Sequence, residues 1–161
     1  MDDASVELTI RPLPPSSWDD VERLVEASAG EGFRFLARLC EEHASGASRF
    51  DGEGEVLLGV WRGEELVAVG GLNRDPYGGR QRAGRVRHVY VIPSARRAGV
   101  GRALVHELID RASVEFDELV LRTDTAEAAR FYETIGFRAA SEVEGATHRL
   151  PLGGAPTRVT A

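Results

Sequence analysis

Apolar residues recur along the 161-residue chain with two periods, and the changes of period mark its elements. Val6–Arg11 alternates apolar and polar side chains, which predicts a strand ended by Pro12. Val21, Leu24 and Val25 share one face of a predicted helix that Ser16 or Ser17 can cap and that runs to about Ala29. Phe33, Leu36, Leu39 and Cys40 repeat the helical spacing over Phe33–His43, and the Gly- and Ser-rich segment Ala44–Gly54 reads as a loop. Two apolar runs, Glu55–Trp61 and Glu64–Leu72, flank Arg62-Gly63 as strands flank a hairpin turn. Asp75-Pro76-Tyr77-Gly78-Gly79 is turn chemistry ahead of a strand at Arg85–Ile92. A helix over Ala98–Glu115 would bury Leu104, Leu108, Ile109 and Ala112. Then come a strand at Glu118–Thr123, a helix at Ala126–Ile135 closed by Gly136, and strands at Phe137–Glu142 and Ala146–Leu150. The order β-α-α-β-β-β-α-β-α-β-β predicts an α/β (α+β) fold, a mixed sheet with helices on both faces. Residues 1–152 are expected to form a single domain and residues 153–161 a loose tail, since no repeat or long linker divides the chain.

Composition narrows the class. A content of 42% hydrophobic and 29% charged residues is that of a globular domain. No apolar run approaches the roughly 20 residues of a membrane span. Met1-Asp2-Asp3 lacks the basic and apolar regions of a signal peptide, so the expected address is the cytoplasm. The single cysteine, Cys40, cannot form an internal disulfide and reads as a buried structural thiol; no metal is expected. All 20 basic residues are arginine, and eight of them against one acid fall between Arg74 and Arg102, a formal +7 in a chain of net charge −6. A polyacidic chain that gathers positive charge in one region predicts a bound anion there. Nucleic acid is excluded by the overall charge and by the lack of a basic stripe interleaved with aromatics.

The anion has an obvious seat. Arg96-Arg97-Ala98-Gly99-Val100-Gly101-Arg102-Ala103 follows the apolar run Val86–Pro93 and opens a helix. The first turn of a helix leaves N–H groups unpaired where the dipole favours negative charge, and Gly99 and Gly101 let an oxygen-rich group approach the backbone. A triphosphate loop requires a lysine, and this chain has none. A dinucleotide fingerprint requires a small residue where Leu104 stands. Arg96-x-x-Gly99-x-Gly101 instead resembles the (Gln/Arg)-x-x-Gly-x-(Gly/Ala) loop of the GNAT N-acetyltransferases. The preceding His88-Val89-Tyr90-Val91-Ile92-Pro93 is similar to that family's strand ending in Val-x-Pro. Downstream, Thr125-x-x-Ala128-x-x-x-Tyr132-x-x-x-Gly136-Phe137 matches its Asn-x-x-Ala-x-x-x-Tyr-x-x-x-Gly-Phe, with Thr in place of Asn. The likeness covers about Leu66–Glu142; the first 60 residues fit by element order.

The resemblance implies a mostly antiparallel sheet whose central strands, Arg85–Ile92 and Glu118–Thr123, splay apart around acetyl-CoA as co-substrate. It implies that Arg97, Ala98, Gly99, Val100 and Gly101 hold the pyrophosphate through backbone N–H groups, with Arg96 and Arg102 adding charge. Val89, Tyr90 and Val91 would flank the pantetheine arm, and a backbone N–H near Val89 would bond the acetyl carbonyl. Thr125 and Ala128 stand at cofactor-contact positions, and Tyr132 at that of the general acid that protonates the departing thiolate. Asp124 reads as the N-cap of the helix at Ala126. No base is assigned: Arg85, Arg87 and His88 occupy the stretch where relatives carry a glutamate, and strand parity sets His88 opposite Arg87 and Val89. The implied function is direct acetyl transfer to a primary amine, of a small molecule rather than a protein terminus or lysine. A homodimer is compatible with it. A non-catalytic acyl-CoA-binding sensor is the alternative.

Overall fold

The computed structural model describes residues 7–77 and 82–153. Thirteen-residue α1 (Trp18–Gly30) and α2 (Phe35–Ser45) follow strand β1 (Leu8–Pro12). The strands β2 (Val56–Arg62), β3 (Glu65–Arg74) and β4 (Ala83–Val91) form a meander, and α3 (Val100–Glu115) crosses over to β5 (Glu118–Leu121). Then come α4 (Ala126–Ile135), β6 (Arg138–Ala139) and β7 (His148–Pro151). They build one seven-stranded sheet in the order β1-β2-β3-β4-β5-β7-β6. Every pairing is antiparallel except β4 with β5, as a helical crossover requires.

Each sheet face carries its own core. Val100, Leu104, Val105, Leu108 and Ala112 of α3 pack with Leu58, Val60, Leu72 and Val86 on one side, joined by Tyr132 and Phe137. Val21 and Leu24 of α1 and Leu36 and Leu39 of α2 cover the other, against Leu57, Val69 and Tyr90. A fully buried leucine contributes about 1.5–3 kcal/mol, so these two stripes hold the helices on. Gly71 is a close-approach residue: a Cβ there would lie 2.6 Å from the Phe50 ring that seals the second core.

Several local expectations shift. Phe33 lies outside α2 and is exposed, while Cys40 is half-buried. Ser17 is the N-cap of α1 but makes no side-chain cap bond. The helix α3 begins at Val100 rather than Ala98, because Gly99 caps it in a left-handed conformation. The strand expected over Phe137–Glu142 shortens to β6, and turns fill the chain back to β7. Gly78 to Gln81 of the β3–β4 connection, the first six residues and the tail beyond Gly153 lie outside the described residues.

Candidate acyl-donor and acceptor site

Strand β4 pairs with β5 only from Ala83 to Arg85, against Glu118 to Val120; beyond that the two part. The Ile92 N–H donates to Val67 O on β3 at 3.0 Å. Peptide groups alternate along a strand, so the Val91 N–H and C=O point the opposite way, into the gap. Val89, two residues earlier, lies on the same edge. The Val89 and Val91 side chains pack toward α3, and Tyr90 toward α1 and α2. A row of backbone groups therefore faces the gap; Arg96 Nε takes the Val91 C=O at 2.8 Å, and the rest of the row has no partner strand, as an extended polar chain would require.

At the end of that row the chain turns into an N–H cradle. Arg97 (φ 67°) and Gly99 (φ 81°) are both left-handed. Such alternation aims successive N–H groups into one concavity that suits an anion. The Ala103 N–H bonds to Gly99 O at 3.0 Å, so the N–H groups of Val100, Gly101 and Arg102 precede the helical ladder and lack acceptors within it. A Cβ on Gly99 would meet nothing within 4 Å, which leaves the cradle open in front. Gly101 sits between Val91 and Phe131, and Arg102 donates to Thr134 Oγ1 at 3.1 Å, so the loop rests on both β4 and α4.

The arginine cluster is less positive than its count suggests. Arg74, Arg82, Arg85, Arg87 and Arg96 are each paired, with Glu115, Asp117, Asp75, Glu42 and Glu31 respectively. Arg80 lies outside the described residues. Near the cradle, only Arg97 and Arg102 remain without an acidic partner among the described residues. Arg96, which opens the motif, commits its guanidinium to Glu31 at the end of α1.

The second motif arrives beside the first. Tyr132 lies on the inner face of α4, buried between Phe131 and Phe137 with ring centroids 5.0 and 5.6 Å away. Burial raises its pKa, so the phenol stays protonated across the neutral range. Thr125, not Asp124, caps α4: its Oγ1 accepts the Ala128 N–H at 3.1 Å, while Asp124 lies 3.7 Å from Arg122. Only the extended residue directly before the first helical turn can place its oxygen over the third N–H, and that residue is Thr125. Ala128 is half-buried against the α3-side core.

Strand parity fails at His88. Tyr90 pairs with Val69 but Arg87 pairs with Gly71, so His88 and Val89 together oppose Gly70 in a β-bulge. His88 takes the extra position at φ 60°, and both it and Arg87 face the α1 and α2 side. Arg87 reaches Glu42 of α2 at 3.5 Å and Asn73 Oδ1 at 3.4 Å; the His88 ring meets Phe50 edge-on at 6.3 Å. Among the described residues no group meets either ring nitrogen of His88 in good hydrogen-bond geometry, the Phe35 backbone being the polar group that acts on the ring. Burial, then the charges of Arg87 and Arg38, push its pKa down to about 4, which keeps it neutral near pH 7. Beside the bulge, a cavity of about 450 Å³ is lined by Glu42, Asn73, Arg87 and the loop after α2.

Two splayed strands, a gap lined with backbone groups and an N–H cradle at a helix start make a site suited to a long, extended ligand that carries an anion. The description "Acetyltransferase (GNAT) domain" matches residues 53–139, and the chain belongs to the GNAT family of N-acetyltransferases. The fold is similar to that of a protein assigned as an acetyltransferase from Exiguobacterium sp. 255-15, at 31% identity and a TM-score of 0.77 over 90% of this chain and 93% of that one. A GNAT acetyltransferase from Brucella melitensis in complex with acetyl-CoA superposes at a TM-score of 0.69 and 17% identity, over 92% and 90% of the two chains. The ribosomal-protein-S18-alanine N-acetyltransferase of Escherichia coli does so at 0.69 and 19%, over 96% and 100%. No curated protein matches the sequence. No helix of the described residues is long and apolar enough to cross a membrane, and none of their side-chain clusters is built to hold a metal ion.

Proposed function

We propose that this enzyme moves an acetyl group from acetyl-CoA directly onto the primary amine of a small molecule. The observation that carries the reading is the unpaired edge of β4 running into the N–H cradle at Arg97–Arg102. The cradle would take the pyrophosphate, with Arg97 and Arg102 adding charge. The Val91 N–H and the Val89 edge would pair with the pantetheine amides, and an N–H near Val89 would bond the acetyl carbonyl as charge develops on its oxygen. The amine nitrogen bonds to the carbonyl carbon, the carbon–sulfur bond breaks, and Tyr132 gives its proton to the departing sulfur. The amine attacks in its neutral form, the proton it sheds as the amide forms passes to solvent, and solvent returns one to Tyr132. Cys40 lies outside both motifs, on α2, so no acyl-enzyme is invoked.

The cavity beside the bulge, about 450 Å³ with Glu42, Asp51 and Glu55 in its lining, offers carboxylates to a small cationic amine. Thiol release from acetyl-CoA, measured across amines, peptides and aminoglycosides, tests the reading. Release that depends on one of the small amines is expected. Release with peptides alone makes the acceptor a protein, and tight acetyl-CoA binding without acceptor-dependent release marks a binding module.

A further inference from the structure

Glu31 holds a position that its own helix does not favour. It is the C-cap of α1, where the helix dipole disfavours a carboxylate. Its backbone is fixed there by a closed helix end: the Phe33 N–H bonds to Ser28 O at 2.9 Å, the Gly32 N–H to Ala29 O at 3.0 Å, and Gly32 is left-handed at φ 89°. From that rigid base the carboxylate reaches across 65 residues of sequence to Arg96. Both its oxygens accept from the guanidinium at 2.8 Å, in the bidentate fork that gives the strongest such pairs. The Tyr90 hydroxyl donates to Glu31 Oε2 at 2.5 Å, and the guanidinium lies 5.4 Å from the Tyr90 ring centre. Arg96 Nε donates to Val91 O at 2.8 Å, the carbonyl on the gap-facing edge of β4.

The consequence lies in the next residue. Arg97 is left-handed, a conformation that is costly for a non-glycine residue and persists only where its surroundings hold it. Arg96 is the last fixed point before it. The clasp ties that point to β4 through Val91 and to α1 through Glu31. The bonds from Arg96 and Tyr90 hold the Glu31 carboxyl below the usual carboxylate range, so the clasp stays charged at neutral pH.

We propose that Glu31 is a positioning residue for donor binding: by clasping Arg96 and Tyr90 it sets the shape of the Arg97–Arg102 cradle. The inference rests on the cradle being the acetyl-CoA site. It also assigns Arg96, the opening residue of the motif, a role as a strut rather than a phosphate ligand.

Isothermal titration with acetyl-CoA tests it without any acceptor. Glu31→Gln is expected to weaken binding about tenfold. In turnover it raises the acetyl-CoA KM to match, with kcat at saturation unchanged within about twofold. The pair is part-exposed, so its loss is expected to cost little stability. Tyr90→Phe, which removes one of the three groups in the clasp, weakens binding by a smaller factor and covers the case in which Glu31→Gln does not fold. In an Arg96→Gln background, Glu31→Gln adds no further loss. Tighter binding by Glu31→Gln would show that the clasp sequesters a phosphate ligand and would overturn the proposal. So would unchanged binding, or losses that simply add in the double variant. Wild-type protein that binds no acetyl-CoA overturns the donor-site reading and this inference together, whereas normal wild-type binding with indifferent variants overturns this inference alone.

Discussion

Tyr132 and His88 show how one environment can serve opposite ends at the scale of a residue. Both are buried aromatic groups, and burial drives each toward its neutral form. For Tyr132 that keeps the phenol protonated, as the proposed acid must be, while making it a reluctant donor that yields its proton only as charge develops on sulfur; for His88 it makes the ring a poor proton acceptor and argues against it as the base. Tyr132→Phe removes only the hydroxyl, and kcat is expected to fall about 100-fold with the acetyl-CoA KM unchanged. Steady-state turnover checks this, and an unchanged kcat would return Tyr132 to a packing role. The helix that carries Tyr132 was readable from the sequence, and its place there from the resemblance of Ala128-x-x-x-Tyr132-x-x-x-Gly136 to the family pattern. The facing of His88 was not, because the period of two holds only while each residue opposes one partner.

Element boundaries depend on which residue ends a hydrogen-bond ladder. Sequence spacing located α4 to the residue, yet assigned its cap to Asp124 when Thr125 holds the Ala128 N–H. The Thr125 hydroxyl therefore has a structural duty at the position where the family pattern carries Asn. Thr125→Ala is expected to cost about 1 kcal/mol of stability, read as a lower midpoint of urea denaturation. Thr125→Asn, which can also cap, is expected to restore most of it. The start of α3 shifted for a related reason. Helical periodicity extends smoothly back to Ala98, but the left-handed turn at Gly99 interrupts the ladder and creates the cradle.

Stability against pH belongs to the whole molecule, since above about pH 4 His88 takes up its proton only as the second core opens. Its pKa is about 4 when folded and about 6.5 when unfolded, so between those values the unfolded chain binds the extra proton. Its contribution is thus complete above about pH 6.5 and is lost as pH falls toward 4, up to about 3 kcal/mol. Denaturant unfolding at pH 7 and pH 4.5 measures the loss. His88→Asn, which accepts a positive φ and does not titrate, is expected to flatten it. The same scale explains the arginine cluster. A formal +7 could be counted along the chain, but five of its members are matched by acids from α1, α2, α3 and two loops. Local spacing was enough for the element order, the two-faced packing, the cradle's sequence and the helix that carries Tyr132, since each depends on neighbours within a few residues. The bulge at His88, the cap at Thr125 and the Glu31–Arg96 clasp were decided only in three dimensions. Each depends on which distant groups meet across the sheet or which backbone donor is left unpaired, and no periodicity along the chain encodes that.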